Sequence, residues 1–231
     1  VGFDLLYDKS GLYDSLRGIC TGSLTARAIT WNWQFLGDLQ PRMLNFLENH
    51  DEQRVASGFF LGSPSRAWAA LAVSMLFNDA SFMLYFGQEV GENAAESGNG
   101  RTSIFDITHP ASIGRLYQSV HGTGGLLPEE SVVLSRYRQM LGYAAMPVFR
   151  SGKSWDLCYC NLDSPGFDAD RHFAFLRYDD AGAWLVFCNF SDAAVRGLRV
   201  AVPPGLEPVC GCSSWSLGEV GAFDAAIVRV R

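Results

Sequence analysis

At Pro147 the hydrophobic period of this chain changes, and that break limits the fold more than any single residue does. Before it, short apolar runs alternate with segments of helical period; after it, short apolar segments are separated by Asp/Gly turns. The first pattern asks for helices packed over parallel strands, the second for antiparallel hairpins. Two domains are therefore expected, residues 1–147 and 148–231, and 231 residues suffice to build both.

In the first part, Gly2-Phe3-Asp4-Leu5-Leu6-Tyr7 reads as a buried strand, and residues 10–39 as mostly helical. Residues 43–47 form a second short apolar run. A helix follows with clear punctuation: Ser63 suits the N-cap, Pro64 the first helical position, and Trp68, Leu71, Ala72, Met75 and Leu76 form its apolar stripe. Residues 82–86 are apolar throughout, which predicts a strand covered on both faces. A polar, glycine-containing loop is expected over 87–125, and Pro128 with Glu129 and Glu130 opens a last helix. In the second part, residues 172–178 and 183–189 flank Asp179-Asp180-Ala181-Gly182, a hairpin loop. Strands are also expected at 195–202, 213–217 and 225–230.

Composition removes several classes of function. A net charge of -6 offers no electrostatic attraction to nucleic acid or to an anionic membrane surface, so neither is expected as a partner. The longest apolar stretch, 67–77, already contains Ser74 and falls well short of the roughly 20 residues of a membrane span. The six cysteines include two Cys-x-Cys pairs, Cys158/Cys160 and Cys210/Cys212, which lack the usual zinc spacing; packed thiols are expected and no metal site. The chain opens on Val-Gly-Phe-Asp, with neither Met nor a basic start and apolar core, so an upstream continuation is expected.

The stretch that packing alone does not explain is Phe46-Leu47-Glu48-Asn49-His50-Asp51. It sets consecutive polar residues just past a buried strand, where βα barrels mount their functional groups. It resembles the Phe-x-x-Asn-His-Asp motif that follows barrel strand seven in the α-amylase family (glycoside hydrolase family 13). Tyr85-Phe86-Gly87-Gln88-Glu89-Val90-Gly91 is similar to that family's Tyr-x-Gly-x-Glu-x-Gly segment at strand eight, and Gly2-Phe3-Asp4 with Tyr7-Asp8 to the segment around strand six. The ordered set covers essentially the whole chain.

The resemblance implies an α/β plus all-β architecture: a partial (β/α)8 TIM barrel made of its last three βα units, followed by an antiparallel β-sandwich. It implies a retaining hydrolase acting on α-glucan or maltooligosaccharide. Asp51 matches the catalytic aspartate that stabilises the transition state, and His50 the histidine that donates to the sugar hydroxyls. Arg54 either reaches substrate or forms a structural ion pair. Asn49 shapes the loop, Tyr85 and Glu89 support the barrel top, and Gly87 and Gly91 serve a backbone turn. Glu48 and Glu52 are expected to be solvated.

A retaining glycosidase needs a nucleophile and a general acid across the scissile bond. The family's Gly-x-Arg-x-Asp nucleophile motif is missing from these 231 residues, and Asp4, Asp8 and Asp14 occupy the wrong element to replace it. The chain alone is therefore expected to be inactive. No cofactor is expected in it, and the family's calcium region, where present, lies in the preceding half. Three parallel strands cut from a barrel leave open edges, which predicts pairing with that half or self-association. The competing expectation is a non-catalytic module for α-glucan binding or assembly. Trp155, Trp184 and Trp215 either stack on sugars or pack in the core.

Overall fold

The computed structural model describes residues 2–102 and 109–231, so part of the predicted 87–125 loop lies outside the described residues. Strand β1 (Leu6–Tyr7) leads through a π-helical turn into helices α1 (Asp14–Thr21) and α2 (Arg27–Leu36). Strand β2 (Met43–Phe46), helix α3 (Trp68–Leu76) and strand β3 (Ser81–Met83) follow. β1, β2 and β3 form one parallel sheet in that order, with Leu6 opposite Met43 and Phe46 opposite Met83.

Helix α3 starts where its punctuation puts it. Ser63 accepts a hydrogen bond from the Ser65 N–H, and a 3-10 turn over Pro64–Ala67 runs into the helix. From Ala69 to Leu76 every residue is buried, because this helix is apolar all round but for Ser74 and has neighbours on all sides.

Two expectations about the first sheet fail. Residues 2–7 are not a buried strand: only two of them pair, and Phe3, Leu5, Leu6 and Tyr7 are exposed because β1 is an edge with a single neighbour. The 82–86 run is paired only up to Met83 and is not covered on both faces; Phe82 is half-buried and Phe86 exposed. The predicted loop also contains helix α4 (Ala111–Val120), held to helix α5 (Pro128–Ala144) by a fork of Arg115 onto Glu130, whose carboxylate also accepts the Leu127 N–H at 2.9 Å.

After a short helix α6 (Pro147–Ser151) come β4 (Lys153–Asp156), β5 (His172–Asp179) and β6 (Gly182–Asn189). Strand β7 (Arg199–Ala201), the turn α7 (Glu207–Cys210), β8 (Ser214–Ser216) and β9 (Ala225–Arg229) complete the chain. β4, β5, β6 and β9 make an antiparallel sheet in that order, and β7 pairs β8 apart from it. The β5–β6 hairpin closes through Asp180 and Ala181, with Asp179 Oδ1 accepting the N–H groups of Ala181 and Gly182 at 2.8 and 3.0 Å.

Both faces of this sheet are buried, and the strand period sorts its residues. Phe173, Phe175, Val186 and Cys188 pack with Leu71, Val73 and Phe77 in the helical core. Ala174, Leu176, Leu185 and Phe187 pack on the other side with Leu198, Val200 and Leu217. Among the described residues, no helix is long and apolar enough to cross a membrane. All six cysteines are free thiols, and burial pushes Cys20 up to about 12.

Candidate functional site

The 47–55 loop leaves the C-terminal end of β2, and its conformation follows from three side chains. Asn49 is buried and its Oδ1 accepts the N–H groups of Asp51 and Glu52 at 2.8 and 2.9 Å, folding the chain into a tight turn. Glu48 is also buried: Oε1 accepts the Val55 N–H at 2.7 Å and Oε2 takes Arg54 Nη1 at 2.8 Å. One carboxylate thereby closes the loop from end to end. The expectation that Glu48 is solvated is overturned, because two donors inside the fold replace its water.

Arg54 is fully buried, at 0 % exposure. Besides Glu48 it reaches Thr102 Oγ1 through Nε at 3.2 Å, and its guanidinium lies 4.4 Å from the Tyr85 ring centroid and 5.2 Å from that of Phe86. Tyr85 donates through its hydroxyl to the Thr102 carbonyl at 2.7 Å. Of the two sequence readings of Arg54, this geometry corresponds to the structural ion pair. Burial pushes the Glu48 carboxyl up to about 7, against the opposing pull of Arg54 and the Val55 N–H.

The other flank of the loop is tied to the start of the chain. Glu52, also expected to be solvated, instead accepts from the Tyr13 hydroxyl at 3.0 Å and lies 3.3 Å from Lys9 Nζ. Arg17 donates to Gln53 at 2.9 Å, and the Tyr13 ring stacks on Phe46 at 4.8 Å.

Between these clamps, His50 and Asp51 are left in solvent. The Asp51 side chain is 76 % exposed, and its Oδ2 lies 3.2 Å from His50 Nε2. Four of the predicted residues, Asn49, His50, Asp51 and Arg54, thus share one loop, and Tyr85 joins them through Arg54. Glu89 sits in a 3-10 turn between Gly87 and Gly91, whose φ values of 83° and 73° are the left-handed geometry expected of those two glycines. One Glu89 carboxylate oxygen is buried without a partner among the described residues. Sequence reasoning missed Glu48, Thr102 and the Gln88–Tyr137 hydrogen bond of 2.8 Å. A signal for Glu48 existed: two residues past buried Phe46, an extended chain puts it on the same face.

No protein-family model matches the chain, and no curated protein does. Solved structures do. A cyclic α-maltosyl-(1→6)-maltose hydrolase from Arthrobacter globiformis is similar over 95% of this chain and 43% of its own, with 19% identity and a TM-score of 0.61. AmyP, solved in complex with maltose, matches over 99% of this chain and 50% of its own, at 15% identity and a TM-score of 0.68. A Nostoc punctiforme debranching enzyme matches over 98% and 46%, at 15% identity and a TM-score of 0.64. The chain spans about half the length of each structure, and what it shares with them is a fold.

Proposed function

With the fold of α-amylase-type enzymes present over about half their length, we propose that this chain is the C-terminal part of a retaining glycoside hydrolase of that family. Its substrates are α-glucosidic bonds in starch-type glucans or maltooligosaccharides. Residues 1–147 contribute the last βα units of its barrel, and residues 148–231 its C-terminal β-domain. The reading rests on one observation: a loop clamped on both flanks holds the His50–Asp51 pair in solvent just beyond a parallel strand.

The chemistry follows from charge. Glycosidic cleavage passes through an oxocarbenium-like state, and an anionic side chain fixed beside the sugar stabilises it without having to reorganise. Asp51 has that role, and its ring-hydroxyl contacts strengthen as positive charge develops. His50 donates to the same hydroxyls. Asn49 sets the turn, and Arg54 with Tyr85 and Glu89 supports it from below. The nucleophile and the general acid come from the preceding half, which also completes the free edge at β1. The neighbours' names supply the substrate class, since AmyP was solved with maltose and maltotriose.

The 231-residue chain alone is expected to release no chromophore from a chromogenic maltooligosaccharide. In the full-length protein, Asp51→Asn is expected to lower kcat/KM by about 100-fold or more while leaving the thermal transition in place. Full turnover by that variant would rule the reading out.

A further inference from the structure

Helix α2 presents Trp31 to solvent at 76 % exposure, and facing it across a groove of about 380 Å³ are Trp155 of β4 and Tyr159 of the turn Cys158–Cys160. Both of these are exposed as well. From these positions we propose a second ligand site, sharing no lining residue with the Asp51 loop, that binds a short neutral oligosaccharide by stacking sugar rings on Trp31, Trp155 and Tyr159.

The groove is built rather than left over. Its two walls come from parts of the chain more than a hundred residues apart, and polar bonds tie them together. Thr30 donates to Asp156 Oδ2, Asp156 Oδ1 accepts the Cys158 N–H at 2.7 Å, and Arg27 pairs with Asp170 at 2.7 Å. Trp33 anchors the α2 wall on Phe77, with ring centroids 5.6 Å apart. Trp155 Nε1 donates to the Tyr159 hydroxyl at 3.4 Å, so two of the exposed rings are held relative to each other. A volume of this size falls within the range of small-ligand pockets, and such pockets combine aromatic walls with a few polar groups.

Charge selects the ligand. Arg27 and Asp156, the ionic groups on the walls, are already engaged by Asp170 and by Thr30 with the Cys158 N–H. A charged peptide or a phosphate therefore finds no free counter-ion there, and the chain's net charge of -6 opposes a nucleic-acid strand that would otherwise stack on the same rings. A sugar ring matches what remains: apolar C–H faces for the aromatics, and hydroxyls for the Gln34 amide and the Thr30 hydroxyl. That the sugar is an α-glucan rests on the proposed function above; the site itself does not.

The test is calorimetric titration of this chain with maltoheptaose, and in parallel with cellohexaose. Maltoheptaose is expected to bind, with affinity weakened about tenfold or more by Trp31→Ala or Tyr159→Ala. Both aromatic side chains are mostly in solvent, so circular dichroism of the two variants should match the parent chain. Absence of binding, or binding indifferent to both substitutions, would overturn the site. Cellohexaose bound in place of maltoheptaose would overturn the α-glucan assignment while leaving the Asp51 turnover test untouched. A dimer that Trp31→Ala dissolves would show that the groove's occupant is a second copy. Loss of the binding in the full-length protein would show that the preceding half fills the groove.

Discussion

Glu48 illustrates how much a single side chain carries in this loop. Its buried carboxylate joins the Val55 N–H and the Arg54 guanidinium, and burial raises it from the ordinary 4.5 to about 7. The sign of the consequence is fixed. Between those values the folded chain holds a proton that the unfolded chain has released. The stability Glu48 contributes is therefore fully present below about 4.5 and lost as pH rises through about 7. Urea unfolding at pH 5 and pH 8 should show the wild type losing ground against Glu48→Gln at the higher pH. An equal gap at both pH values would mean that burial does not control this group. Asp51 is the opposite case: with its side chain mostly in water, its removal should leave unfolding unchanged and register only in turnover.

Among the elements, β5 decides how the helical and antiparallel parts hold together. Its Arg177 is fully buried and donates to the carbonyls of Phe77, Val148 and Phe149 at 3.2, 3.2 and 2.9 Å, to Ser154 at 2.5 Å, and to Asp79 at 2.7 Å. Truncation strands the Val148 and Phe149 carbonyls, while that of Phe77 keeps the Ser154 hydroxyl. Arg177→Ala should cost about 3 kcal/mol and lower the melting temperature by roughly 6–12 °C, measurable by calorimetry. A change of a degree or two would show that water replaces the guanidinium. Helix α3 supports the same junction from the other side, with Val73 of its buried face in contact with the cluster that holds Phe173 and Phe175. The 63–76 signals placed this helix, since an N-cap serine and a following proline act within a few residues. Helix α4 gave no such signal, because the Arg115–Glu130 fork that holds it spans fifteen positions.

For the whole molecule, part of the exposed apolar surface lies near the start of the chain: Phe3, Leu6 and Tyr7 at β1, and Trp31, Phe35 and Leu39 on and after α2. A parallel strand paired on one side only, with apolar side chains in water, invites a further strand. Sedimentation equilibrium of the 231-residue chain should give a mass that rises with concentration, and Leu6→Lys should reduce the rise. A monomer at every concentration would show that this edge is tolerated in water.

By itself the sequence determined the placement of α3, α5 and the β5–β6 hairpin, and the loop that carries Asn49, His50 and Asp51. Those properties are written in local spacing: apolar period, caps, turn residues and a run of polar groups past a strand. What the sequence could not reveal depended on partners distant along the chain. Tertiary structure buried Glu48 and half-buried Glu52, which read as surface carboxylates until Arg54, Val55, Tyr13 and Lys9 were brought to them. It exposed residues 2–7, which read as core, because their sheet ends at β1. It also set Trp31 opposite Trp155. Burial is a property of the neighbours a residue acquires, and hydrophobic period records only the side on which it waits for them.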